Sequence, residues 1–415
     1  MPISRLNASV PQPAAPAAVH DKAPITRRQH AIFNIATVLY WTTLYIYVPI
    51  LTPFLQDRGL SMGWIGLIVG SYGITQLIIR FPLGIYSDRM RRRKPFLIAG
   101  LLAGLLSCGL FVLGGSWEAP LAGRLVAGIC ASSWVPFTVL YASYFPPHES
   151  TRAMGNLSFL TVIGQLAGMC ASGWLADYGG WNTAFLVGMG IAAAGTIASF
   201  AVHEPSTGTS VTEGQGMSMT QAWSVVRKSP LLITVSILAL LAHCILFITM
   251  FGFTPLQAVA LGASESQLTL LVVSFMVPHA LVSLWTGRWI APRFGTRRVI
   301  VAGFLLSAVC TAAIPYSATL PWLFATQMLN GTAQALYLPL LLGLAIRDTP
   351  TSERATAMGF YQSVYSIGMF AGPYLAGWLN GVGGLKAGFL FGAAIGVAAA
   401  ALTWIRTPRD DRKME

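Results

Sequence analysis

The feature that most restricts this chain is where its charges are not. From residue 31 to residue 405 apolar runs of roughly twenty residues or more follow one another, and charge is almost confined to the short gaps between them. About 20 apolar residues in a helix cross the hydrocarbon core of a bilayer. Only helices and closed barrels cross it with every peptide group paired. Candidate spans 1 to 6 fall at 31–55, 62–87, 96–115, 118–145, 152–176 and 183–203. Candidate spans 7 to 12 fall at 230–256, 266–290, 297–317, 320–346, 355–380 and 383–405. The expected fold is an all-α membrane protein of twelve helices. Charged residues make up only 10% of the 415, against about 25% in soluble domains.

The net charge of +12 raises nucleic acid as a partner until the charges are located. Twenty-two of the 26 Lys and Arg lie on one side of the alternating spans. They include Arg27, Arg28, the run from Arg89 to Lys94, Arg227, Lys228, Arg288, Arg293, Arg297, Arg298, Arg347, Arg354 and Arg406. Only Arg58 and Lys386 lie opposite, and Arg80 and Arg124 fall within spans. Basic loops stay in the cytoplasm, so both termini are expected there, in a bacterial-type inner membrane. This asymmetry reports topology and argues against nucleic acid. Residues 1–30 read as a disordered cytoplasmic tail, 31–203 as one six-helix bundle, 204–229 as a cytoplasmic linker with a short amphipathic helix near Gln221–Arg227, 230–405 as a second bundle and 406–415 as a tail. The five cysteines show no metal-ligand spacing and read as packing residues. No catalytic motif, metal site or cofactor is expected, and a membrane enzyme or sensory scaffold is the reading set aside.

The two bundles repeat each other. Glu149, Met154–Gly155, Ile163–Gly164, Ala167–Gly168, Gly173–Trp174–Leu175 and Gly179–Gly180 recur 204 residues later as Glu353, Met358–Gly359, Ile367–Gly368, Ala371–Gly372, Gly377–Trp378–Leu379 and Gly383–Gly384. Upstream the offset is 203, as for Gly128 with Gly331 and Pro136 with Pro339. A repeat of six spans keeps its orientation, so the halves are related by an axis along the membrane normal.

Two parallel six-helix halves on a cytoplasmic linker resemble the major facilitator superfamily. Between spans 2 and 3 the stretch Gly84-Ile85-Tyr86-Ser87-Asp88-Arg89-Met90-Arg91-Arg92-Arg93-Lys94 is similar to that family's helix 2–3 signature. Gly84, Asp88, Arg89, Arg92 and Arg93 match, while Tyr86 and Arg91 depart from it. The resemblance implies that Asp88 faces the start of span 11, near Glu353, and latches the halves. The alternative is that the basic cluster only sets topology. Arg124 and Gly128 resemble an arginine element of proton-coupled members. Gly368, Gly372, Pro373 and Gly377 resemble a glycine–proline signature of antiporters, although it stands on span 11 and span 5 has Met169 in place of the proline. The nearest likeness in signature is to twelve-helix, proton-coupled exporters of drugs and metabolites.

All 14 acids fall in loops, tails or span ends. A carrier of organic cations needs a buried counter-charge, and the spans offer none. Arg80 and Arg124 are the intramembrane charges, each costing at least ~2.5 kcal/mol at a helix centre. Arg80, Gly84 and Asp88 share a helix face, and Arg124 lies ~15 Å away in depth, so one small anion cannot bridge both arginines. One is expected to bind an anionic group of the substrate and the other to serve gating or proton coupling; an inner-gate ion pair or snorkelling for Arg80, and backbone bonds for Arg124, are the plainer alternatives. His243 and His279 are the intramembrane groups that titrate near neutrality. Family analogy puts the substrate cavity among spans 1, 4, 7 and 10, with contributions from 2, 5, 8 and 11, and the candidates are Tyr40, Trp41, Tyr45, Gln76, Trp134, Gln165, Phe247, Asn330, Gln334, Tyr337, Tyr361, Gln362 and Tyr365. The expected function is proton-coupled efflux of a neutral or anionic amphipathic compound by alternating access; the alternative is proton-coupled uptake of an organic anion. The expected partners are a small-molecule substrate, protons and the bilayer, around a monomer.

Overall fold

The computed structural model describes residues 25–90, 92–113, 116–145, 150–205, 219–349 and 354–407. All secondary structure in these residues is helical. Span 1 runs Arg27–Tyr45, unwinds through 46–50 and resumes as Leu51–Asp57. Spans 2 and 3 are Met62–Met90 and Lys94–Val112. Span 4 is Glu118–Ser132 continued by Trp134–Ala142, span 5 Ser150–Gly179 and span 6 Trp181–Phe200. The linker carries the helix Met219–Lys228, longer at both ends than expected. Span 7 is Pro230–Ile248, a wide π-turn Thr249–Phe253 and Thr254–Ala260. Span 8 is Glu265–Trp285, a second π-turn Thr286–Ile290 and Ala291–Phe294. Spans 9 to 12 are Thr296–Ala313, Leu320–Arg347, Arg354–Gly383 and Leu385–Arg406.

Ten of these spans are long and apolar enough to cross a membrane unaided. Span 1 is interrupted at its unwound segment, and span 11 is diluted by Gln, Ser, Tyr and Gly; both cross as members of the bundle. Helix starts follow capping rules. Thr26 with Gln29, and Ser264 with Gln267, form reciprocal capping boxes at spans 1 and 8. Spans 5 and 6 meet at Gly180 and spans 11 and 12 at Gly384, with φ of +76° and +68°. Those left-handed corners suit glycine alone, which explains why the repeat keeps it at both.

The repeat reappears as packing. A side chain on Gly164 or Gly168 of span 5 would strike the backbone of Val38 or Thr42 in span 1. Their repeat mates Gly368 and Gly372 press likewise on Leu240 and Cys244 of span 7. Without a solvent-driven hydrophobic force, membrane helices associate through such close approach of small residues. The halves meet along two seams, span 2 with span 11 and span 5 with span 8. At the face opposite the termini, called here the far face, the seams are closed. There Thr52 Oγ1 donates to the Gly252 carbonyl (2.8 Å), Ser266 N–H to Asp177 Oδ2 (2.9 Å) and Gly173 N–H to Thr269 Oγ1 (3.2 Å). One buried cluster, with Phe54, Phe111 and Phe185 from the first half and Ile248, Phe253 and Phe389 from the second, spans that end.

Candidate functional site

Span 2 presents Tyr72, Gln76 and Arg80 at four-residue intervals on one helix face. That face meets span 11. Arg80, only 9% exposed, donates from Nη1 to Tyr365 Oη (2.9 Å) and Gln362 Oε1 (3.3 Å). Both acceptors are neutral and both belong to the other half. The Arg80 Nε–H has no partner. A buried guanidinium held by a phenol and an amide keeps its full positive charge, with its Nε–H donor unspent.

Tyr365 carries the contact onward. Its ring lies flat on the imidazole of His243, with centroids 4.1 Å apart and planes 5° off parallel. His243 Nδ1 is 2.8 Å from the Ala239 carbonyl. A carbonyl only accepts, so Nδ1 carries hydrogen and Nε2 is the nitrogen able to take up a proton. Guanidinium, phenol and imidazole from spans 2, 11 and 7 thus form a continuous array across the seam.

Arg124 stays within the first half. Nη2 donates to the Val69 carbonyl (3.3 Å), and the guanidinium lies 4.5 Å from the centroid of the Tyr72 ring. Val69 precedes Arg80 by eleven residues, ~16 Å along span 2. The two arginines therefore occupy different levels, and a cation–π contact of about 0.5–2 kcal/mol offsets part of the burial cost of Arg124. Tyr72 also stacks on Phe247 of span 7, 6.3 Å between centroids. Gln76 Nε2 donates to the Tyr72 carbonyl (3.1 Å), and its Oε1 has no partner.

The other candidates separate into groups. Trp41, Trp134 and Tyr45 form an aromatic wall on spans 1 and 4, Tyr45 reaching Phe251 across the halves at 6.0 Å. Gln165 and Trp134 are half-buried. Tyr40 is wholly buried within its half, its hydroxyl donating to the Cys130 carbonyl. Asn330, Gln334 and Tyr337 are also wholly buried, with Asn330 Oδ1 accepting from Ser307 (2.8 Å) and Tyr337 stacked on Phe304. Tyr40, Asn330 and Tyr337 belong to helix interfaces inside a half, whereas both amide atoms of Gln334 lack a partner. Tyr361 stands edge-on to Tyr365 at 5.6 Å. His279 Nδ1 lies 3.3 Å from the Gly331 carbonyl, joining spans 8 and 10 away from Arg80. Glu353 and the side chains of Gly84, Asp88 and Arg89 lie outside the described residues. Arg92 is exposed, and the Arg93 N–H donates to Glu204. Four cysteines are buried as packing residues, whereas Cys170 is exposed on span 5, a departure from the expected packing role.

Tyr72 escaped the set of cavity candidates, although the spacing of Gln76, Arg80 and Gly84 extends one step further to it. Phe247, a candidate from the sequence, is the residue of the second half that Tyr72 stacks on.

A two-fold bundle of twelve spans with a charged centre at its seam defines a multi-pass membrane transporter of small solutes. The sequence model of the Major Facilitator Superfamily matches residues 33–260 and 239–415, and the chain belongs to that superfamily. It is 25% identical to the inner membrane transport protein YajR of Escherichia coli K12 over 92% of this chain and 84% of that protein. It is 29% identical to multidrug resistance protein 1 of Bacillus subtilis 168 over 41% of this chain and 45% of that one. A crystal structure of a bacterial homologue of the human lysosomal transporter Spinster, inward-facing and unoccupied, superposes with a TM-score of 0.76 at 15% identity, covering 92% of this chain and 97% of the other. That last likeness concerns the fold.

Proposed function

We propose that this transporter exports a small amphipathic compound, neutral or anionic, across an inner membrane by alternating access driven by protons. The observation that carries the reading is Arg80: a buried cation at the seam, held across the halves by neutral groups alone. An organic anion is the partner such a guanidinium lacks, and carboxylate binding would displace Gln362 and Tyr365 while using the free Nε–H. Aromatic side chains of Tyr45, Tyr72, Phe247 and Phe251 supply an apolar surface for the remainder of the molecule. His243 is the proposed proton carrier, with His279 the alternative. Both termini lie in the cytoplasm on the positive-inside rule, and the protein works as a monomer. Export is favoured by the name of the Bacillus relative.

One observation favours the second reading, uptake of an organic anion with a proton. Protonated His243 beside Arg80 would strengthen anion binding, so proton and anion would travel together.

Untargeted mass spectrometry of medium and lysate, from cells carrying wild type, Arg80→Ala or Arg124→Ala, separates these readings. Export predicts an organic acid enriched in the medium with wild type and lowered by at least about tenfold with Arg80→Ala. Depletion from the medium with accumulation inside establishes uptake. An unchanged metabolite profile in both variants removes the arginines from the substrate path.

A further inference from the structure

We propose that the groove between spans 3 and 6 at the face carrying the termini is a binding site for one anionic glycerophospholipid. The groove holds about 450 Å³ and is lined by Arg92, Lys94, Pro95, Ile98, Ala99, Leu102 and Glu204. Its polarity is graded along the helix axis. Lys94, Ile98 and Leu102 recur at intervals of four and form one stripe of span 3, charged at the entrance and apolar ~6 and ~12 Å deeper. A phospholipid has that profile, with phosphate at the interface and acyl chains running inward.

The apolar end of the groove is uncovered: Leu102 is 49% exposed, and Ile197 and Phe200 of the neighbouring span 6 are 73% and 62% exposed. The rim is built rather than loose. Glu204 accepts the backbone N–H groups of Arg93 and Lys94, so its carboxylate caps span 3. Lys94 Nζ donates to the Phe200 carbonyl (2.7 Å), which ties the two spans together and sets its ammonium over the groove. Arg92 is exposed beside it and presents a guanidinium suited to a phosphate diester. A basic pocket between membrane helices above an apolar floor selects lipid by headgroup charge.

Native mass spectrometry of the purified full-length protein tests this with phosphatidylglycerol and phosphatidylcholine of identical acyl chains, and with free glycerol 3-phosphate. The expected result is retained phosphatidylglycerol, with about fivefold weaker retention for Arg92→Ala. Ala99→Trp, which fills the floor without altering charge, should also lose the lipid, while Arg288→Ala on the second half should not. Equal retention of both lipids, or equal losses for Arg92→Ala and Arg288→Ala, overturns the proposal. Retention that survives Ala99→Trp, or binding of glycerol 3-phosphate as tight as that of the lipid, reduces the site to a phosphate contact and overturns it too.

Discussion

The two seams between the halves are related by the repeat, yet they are built differently. On span 2 three glycines, Gly66, Gly70 and Gly73, face span 11, and a side chain on each would meet the backbone or Cβ of Pro373, Phe370 or Met369 at 2.2–2.7 Å. On span 8 the equivalent positions, 203 residues on, are Thr269, Val273 and Met276. Structure confirms the register: Gly377 of span 11 lies against Gly66, and its mate Gly173 of span 5 lies against Thr269. Arg80, which bridges the first seam, corresponds to Ser283, whose hydroxyl has no partner. One seam is therefore backbone against backbone with a buried cation across it. The other has one such backbone approach, Gly173 against Glu265 at its far-face end, and side chains at the remaining equivalent positions.

The largest expected effect breaks the glycine seam. Gly70→Leu places a Cβ 2.6 Å from the Phe370 carbonyl, and backbone cannot yield as a side chain can, so thermal unfolding in detergent should show loss of folded protein or a destabilisation of ~3 kcal/mol or more. Val273→Leu, its counterpart, should stay within ~1 kcal/mol of wild type. Similar losses for both would erase the distinction. Next comes Arg80→Gln, which keeps a polar side chain and removes the charge. Substrate transport in proteoliposomes should fall by about tenfold or more while the melting temperature is retained. Tyr365→Phe removes one acceptor from Arg80 and keeps the stack on His243, so its cost should be about 1.5–3 kcal/mol in substrate-free stability; no change would mean that Gln362 alone holds the bridge. Thr269→Ala, deleting the hydroxyl that accepts from Gly173, should cost only ~0.5–1.5 kcal/mol.

Much of this fold was legible because a bilayer leaves few options. Charge placement marks the spans, and the 204-residue repeat gives their pairing in duplicate. The glycines that came through the repeat, Gly164 and Gly168 with Gly368 and Gly372, turned out to be backbone contacts between helices inside each half. The seam glycines on span 2 have no repeat mates and drew no notice for that reason. The site was legible in its charges and less so in its partners. Arg80 had to face something, but Gln362 and Tyr365 lie more than 280 residues away, beyond any helical periodicity. Tyr40, Asn330 and Tyr337 show the opposite limit. A polar residue on a membrane helix looks the same in sequence whether it faces a cavity or a neighbouring helix of its own half.

The wide turn in span 7 answers the break in span 1. Before them the two spans correspond at an offset of 202, as Val38 and Thr42 do with Leu240 and Cys244 through their shared glycine contacts. After them Thr52-Pro53 and Thr254-Pro255 still stand 202 apart. Span 1 fills the interval by unwinding through 46–50, and span 7 fills it with the enlarged loop of backbone Thr249–Phe253. Gly252 makes this feasible, since any side chain there would collide with the Phe247 carbonyl at 2.3 Å. Two backbone solutions thus occupy one interval of the repeat, and both ends of each span keep their addresses.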